Sequence, residues 1–218
     1  VPAYIYYLGI ELYGDWIVIS AIASFFTMSD IGISSVSNNM FSISYNRNEI
    51  ADCNKILYNN LLFTCSVLFI GILLITVVGP YMDLKQLLNF HCITNTEGVI
   101  ICILLVFQIL LVMGGNVFDS IYNAVHLAHK VTYINNIAKF ANALFIFLGL
   151  ILNLNLSEIV ALSMVPYIVV DVYKITQSKK IFNYKFSRKL LDFNYLKSII
   201  KPSVGFMFFP AGNAILFQ

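Results

Sequence analysis

Two stretches of this 218-residue chain, Leu61 to Gly79 and Gly98 to Phe118, contain no Asp, Glu, Lys or Arg. Each approaches the ~20 apolar residues that a helix needs to cross a hydrocarbon core about 30 Å thick. In that environment every backbone N–H and C=O must be satisfied internally, which leaves helices or closed barrels. Neither stretch shows the strict alternation that a barrel strand requires, so the barrel is set aside. The rest of the chain agrees: 59% of its residues are hydrophobic and 11% charged, against roughly 25% charged in a typical soluble domain. The predicted fold class is an all-α, polytopic transmembrane helix bundle.

Hydropathy predicts spans over about 13–38, 56–79, 98–125, 133–152 and 156–173. Residues 1–8 are too short to cross and read as the tail of a first helix, while a further span begins near Pro202 and is cut at Gln218. Both termini read as cut ends. The predicted organisation is an N-terminal bundle over 1–177, a basic cytoplasmic linker over 178–201, and the truncated start of a second bundle over 202–218. Pro202, Gly205, Pro210 and Gly212 fall within one apolar run. Proline removes a backbone donor and kinks a helix, so this last segment is expected to bend.

Basic residues orient the stack, because cytoplasmic loops near helix ends retain Lys and Arg. With the 7–16 turn outside, the segments 39–55, 126–139 and 174–201 fall on or near the cytoplasmic side and hold every one of the 13 Lys and Arg residues except Lys85. The net charge of +2 is then a consequence of topology, and no nucleic-acid partner is needed. The stretch SKKIFNYKFSRKLLDFNYLK, from Ser178, interleaves basic and aromatic residues. It is expected to lie on anionic headgroups with its rings in the interface.

Polar residues at membrane depth are costly and usually face a bundle interior or a wet cavity. At 100° per residue, Gln108, Asn116, Asp119 and Asn123 occupy an arc of about 80°, with Gly115 beside them. Asn135, Lys139 and Asn142 share about 60°, and Ser20, Ser24, Thr27, Asp30, Ser34 and Asn38 share about 120°. The span over 56–79 has no comparable stripe and is expected to face lipid. Asp119 and Lys139 each lie about ten residues from the loop near His129, so antiparallel helices hold them at similar depth. Either they form an ion pair gluing two helices, or they are cavity charges, with Lys139 attracting an anionic headgroup. The candidate substrate-binding residues are therefore Asp30, Gln108, Asn116, Asp119, Asn123, Asn135, Lys139 and Asn142.

Other chemistry finds little support. Cys53, Cys65, Cys92 and Cys102 lack CxxC spacing, and His126 and His129 have no carboxylate or thiolate partner nearby in sequence. There is no GxxxxGK[ST] phosphate loop, GxSxG elbow or HExxH motif. The chain is read as a non-enzyme without cofactor or metal.

The residues carry a resemblance. Gly9, Glu11, Tyr13, Gly14 and Trp16 match an LGxExYGxW turn, Asp30, Gly32 and Ile33 match a DxGI-like helix end, and a polar stretch follows from Asn38 to Lys55. In these features the chain resembles the Wzx-type polysaccharide (O-antigen) flippases of the multidrug/oligosaccharidyl-lipid/polysaccharide exporter superfamily. The resemblance implies the first half, from the tail of helix 1 to the start of helix 7, of a MATE-like 12-helix transporter in the bacterial cytoplasmic membrane. It implies alternating-access movement of an undecaprenyl-pyrophosphate-linked oligosaccharide, with H+ or Na+ as coupling ion carried by Asp30, Asp119 or Asp171, and other polysaccharide-assembly membrane proteins as partners. Sugar hydroxyls need groups such as Asn116, Asn123 and Asn142, and the pyrophosphate needs a cation such as Lys139. At the 7–16 turn, Gly9 and Gly14 are expected to permit tight reversal, Glu11 and Asp15 to stay hydrated, and Tyr13 and Trp16 to anchor the headgroup zone. The alternatives are a multidrug/cation antiporter of the same superfamily and a membrane-embedded glycan polymerase or ligase, although the outside segments are short for a catalytic loop.

Overall fold

The computed structural model describes residues 2–81, 84–88, 90–187, 190–192, 195 and 197, and every regular element among them is helical. The segment from Pro202 to Gln218, with its expected kink, lies outside the described residues, as do Arg188, Lys189 and Lys201. The side chains of Ser24, Thr27 and Asp30 also lie outside them.

Helix α1 (Pro2–Leu8) ends at Gly9, whose φ of 80° is open to glycine and strained for other residues. Helix α2 (Ile10–Asn46) follows at once, then α3 (Ile50–Val78), a 3-10 turn over Gly79–Tyr81 and the short α4 (Leu84–Leu87). Helices α5 (Asn95–Ala124), α6 (Ala128–Ile151) and α7 (Leu156–Ile181) complete the bundle. Each span predicted between residues 13 and 173 coincides with a helix, while the one expected near Pro202 lies outside the described residues; α2 is much longer than its apolar run. With 37 residues it extends about 55 Å, well past a 30 Å core. Hydropathy marks membrane depth, whereas the polar stretch after Asn38 stays helical because Phe41, fully buried against Phe182, ties it to the protein.

Three inter-helix turns share one construction. Asn48, His126 and Asn153 have φ values of 59°, 61° and 51°. In each, that residue's N–H reaches the carbonyl three back and the next N–H the carbonyl five back: Tyr45 and Ser44, Asn123 and Tyr122, Leu150 and Gly149. This is the Schellman closure of a helix C-terminus, for which glycine or asparagine is the usual left-handed residue. At the α5–α6 turn His126 takes that role. Helices α5 and α7 begin with capping boxes, Thr94 with Glu97 and Asn155 with Glu158.

Helix α5 is central, packing against α2, α3 and α7, while α6 rests chiefly on α7. One apolar core gathers Phe41, Ile56, Leu57, Val117, Phe118 and Ile121; the other gathers Ile19, Phe90, Ile101, Leu105, Val160 and Met164. Outside the bundle, Phe69, Ile70, Leu73 and Leu74 of α3, Phe140, Leu144 and Leu148 of α6, and Val169 and Val172 of α7 are exposed. A soluble monomer rarely shows so extended an apolar surface. Among the described residues, four helices (α3, α5, α6 and α7) are long and apolar enough to cross a membrane; the second half of α3 faces outward as expected, whereas its first half buries Ile56, Leu57, Asn59, Asn60 and Thr64.

Both ends differ from the sequence reading. The tight reversal sits at Gly9 alone, since Gly14 lies inside α2 with open space around its Cα. Glu11 is exposed, but Asp15 is not hydrated: it is 2% exposed and accepts the backbone N–H groups of His91, Cys92 and Ile93 at 3.0, 2.9 and 3.1 Å. Three converging amide donors compensate the burial of its charge. Trp16 stacks on Tyr4 of α1, at 6.5 Å between rings. At the opposite end, Phe182, Tyr184 and Tyr195 are buried within the protein, where the interface had been expected to take them. Asn59, fully buried, explains why that segment docks: its amide donates to Leu190 O at 2.8 Å and accepts from Asp192 N at 2.9 Å. Asn54 accepts from Lys185 N, and Lys55 pairs with Asp192.

Candidate functional site

The polar stripes of α5 and α6 meet a third on α7. Ser163, Tyr167, Asp171, Lys174 and Ser178 recur at spacings of three and four residues, an arc of about 80°, and this face turns toward α5 and α6. At its centre Lys174 Nζ lies 2.8 Å from Asp119 Oδ1. Both residues are buried, with Lys174 only 2% exposed. The ammonium approaches Oδ1 off the axis of a well-aligned hydrogen bond, so the contact is an ion pair first. Asn135 Nδ2 donates to the other carboxylate oxygen at 3.1 Å, and Tyr122 donates its hydroxyl to Lys174 O at 3.3 Å.

The expected Asp119–Lys139 pair is therefore replaced by Asp119–Lys174. Matching depth across a loop fixes height along the helices but not azimuth. Because α6 packs mainly on α7, and α7 lies against α5, the lysine that looks at Asp119 comes from α7. Among the described residues Lys139 forms no ion pair. It is exposed and lines a cavity of about 150 Å³ with Asn116, Asn135, Tyr167, Asp171 and Lys174. That volume is well above the ~15 Å³ needed to admit one water.

Gly115 makes the arrangement possible. A Cβ there would collide with the Asp171 carboxylate, one turn before Lys174, so the missing side chain gives the acid its room. Asp119 thus pairs with Lys174, while Asp171, Lys174 and Lys139 all line the cavity.

The remaining candidates divide. Gln108 Nε2 contacts Ser163 Oγ at 3.2 Å, and Asn142 Nδ2 donates to Ser163 O at 2.7 Å. Both tie their helices to α7 close to Pro166, which lies inside that helix and deprives the Leu162 carbonyl of its donor. These two residues act as cement. Asn116, Asn135 and Lys139 line the cavity, and Asn123 is half-buried beyond it. Asp30 was expected to join them, but its side chain is outside the described residues. Lys174 is a site residue that hydropathy hides, because it reads as a loop charge at the end of a span. The helical spacing from Ser163 to Ser178 was the signal available for it.

Comparison of the chain with protein-family models, with curated proteins and with solved structures finds no match.

Proposed function

We propose that this chain forms part of a multi-pass carrier in a bacterial cytoplasmic membrane, one that flips a lipid-linked, undecaprenyl-pyrophosphate-bearing oligosaccharide during surface polysaccharide assembly. The observation carrying this reading is the cavity between α5, α6 and α7, which sets amides and a cation together inside helices apolar enough for a membrane. Asn116 and Asn135 offer the donors and acceptors that sugar hydroxyls use, and Lys139 offers the charge that a pyrophosphate needs. At about 150 Å³ the cavity holds water and a small polar group, so passage of a saccharide requires the helices to part, as alternating access does. Asp119 and Asp171 supply sites for a coupling H+ or Na+. The resemblance to Wzx-type flippases of the MATE-like superfamily supplies the rest of the reading, a 12-helix transporter of which this chain is most of one half.

A second reading, a drug or cation antiporter of that superfamily, draws on the exposure of Lys139. If its ammonium serves the headgroups, the carboxylates dominate what is left of the cavity.

A deletion strain separates the two. Loss of surface polysaccharide with lipid-linked units stranded on the inner leaflet, restored by the full-length protein and not by Lys139→Ala, supports the flippase. Normal polysaccharide with loss of drug efflux supports the antiporter, and altered polysaccharide chain length alone removes both in favour of a polymerase.

A further inference from the structure

On the outer face of the bundle, sharing a wall at Val170 with the polar cavity, α6 and α7 flank an open groove of about 470 Å³. Its walls are Tyr133, Ile137, Val169, Val170 and Tyr173, and the one charged side chain lining it is Lys130, at the start of α6. Tyr133 is 69% exposed and Val169 63%, so the groove opens outward, where a membrane helix meets lipid. We propose that this groove is a binding site for an anionic phospholipid, with its phosphate at Lys130 and its chains between Ile137 and Val169.

The polarity of the groove selects an amphiphile. The helices run antiparallel, so the end marked by Lys130, Tyr133 and Tyr173 opposes the end marked by Ile137 and Val169. Seven residues beyond Tyr173, on the same face of α7, stands Lys180, exposed in the helix's last turn. The N-terminus of α6 adds its positive dipole end at that level. Cations gather at one end only, with two tyrosines at the depth where aromatic residues meet headgroups, and the remainder is aliphatic.

The groove has room for lipid chains. From Lys130 to Ile137 the groove follows α6 for about 10 Å. A hydrocarbon chain, its width set by carbon contacts near 4 Å, takes about 160 Å³, so two chains fit side by side. Val170 lines this groove and also the polar cavity, so an occupant would press on the cavity's wall. The proposal does not depend on what the cavity transports.

The test uses the full-length protein in detergent, titrated with phosphatidylglycerol or phosphatidylcholine of matched chains, with retained lipid counted by native mass spectrometry. Two cations near a headgroup predict a preference for phosphatidylglycerol of tenfold or more. Lys130→Gln/Lys180→Gln should reduce it below about threefold with total chain binding little changed. Val169→Trp, which fills the groove, should reduce retention of both lipids. Undiminished preference in the double Gln variant overturns the proposal even if the Trp variant fails to fold. So does disulfide crosslinking between two copies through Tyr133→Cys, because a second protein chain would then occupy the groove.

Discussion

Lys174 and Asp119 meet at 2.8 Å across α7 and α5, both buried inside a bundle whose outer surface is hydrocarbon-like. Removing one member of such a pair leaves an uncompensated charge, which costs about 3–5 kcal/mol, whereas replacing both with apolar residues is often neutral or stabilising. Lys174→Met should therefore lower the thermal midpoint sharply, and Lys174→Met/Asp119→Leu should recover most of the loss. A double variant no better than the single would show that Asn135 and Tyr122, more than the charge pair, hold these helices together.

Gly115 predicts a second coupling. In Gly115→Ala the new methyl collides with the Asp171 carboxylate, an overpacking cost of about 1–3 kcal/mol. Removing the carboxylate should relieve it without breaking the helix, so Gly115→Ala/Asp171→Ala should melt above Gly115→Ala. Additive losses in that cycle would place the strain elsewhere on α5.

Asp15 holds the loop that leads into α5 by accepting three backbone donors. Hydrogen bonds to a charged group contribute about 1.5–3 kcal/mol each, less when others remain. Asp15→Ala should destabilise by several kcal/mol and Asp15→Asn by less, since one acceptor survives. Amide hydrogen exchange at residues 91–93 is the direct measure: it should rise strongly in both variants, and unchanged protection would mean that the loop is held by its apolar contacts around Phe90 and Ile93.

The helices are legible because uncharged length is a strong signal, and the short loops between them set their order. Their ends were less so. The N-terminal boundary of α2 was misplaced by giving Gly14 a role that Gly9 fills alone, and its C-terminal boundary by equating a helix with its membrane-spanning part. The site was half legible. Angular position along α5 and α6 picks out Asn116, Asp119, Asn135 and Lys139, but which partner each side faces depends on how helices pack, and the third stripe, on α7, runs past the end of its hydropathy span. Gln108 and Asn142 carried the same polar signature as the cavity residues, and only the positions of Ser163 and Pro166 distinguish a helix fastener from a cavity wall. Asn59 and Asp15 were hidden for a related reason, since each satisfies backbone groups distant in sequence.

Cys92 gives a pH-dependent readout of the loop that Asp15 organises. Its thiol donates toward Glu11 Oε2 at 3.5 Å, and local desolvation, together with the Glu11 hydrogen bond and charge, raises its pKa above the usual thiol value. The thiolate is the reactive form, so a raised pKa keeps the neutral thiol to higher pH and slows alkylation at any given pH below it. Maleimide labelling of Cys92, followed with the other three cysteines replaced by Ala, should have its rate midpoint shifted to higher pH than that of a free cysteine. Glu11→Gln removes the charge while keeping a hydrogen-bonding group, so its midpoint should move down and labelling near neutral pH should quicken. Identical pH profiles for the two proteins would show that desolvation and the Asp15 charge set the thiol, and that Glu11 does not hold its partner across the turn.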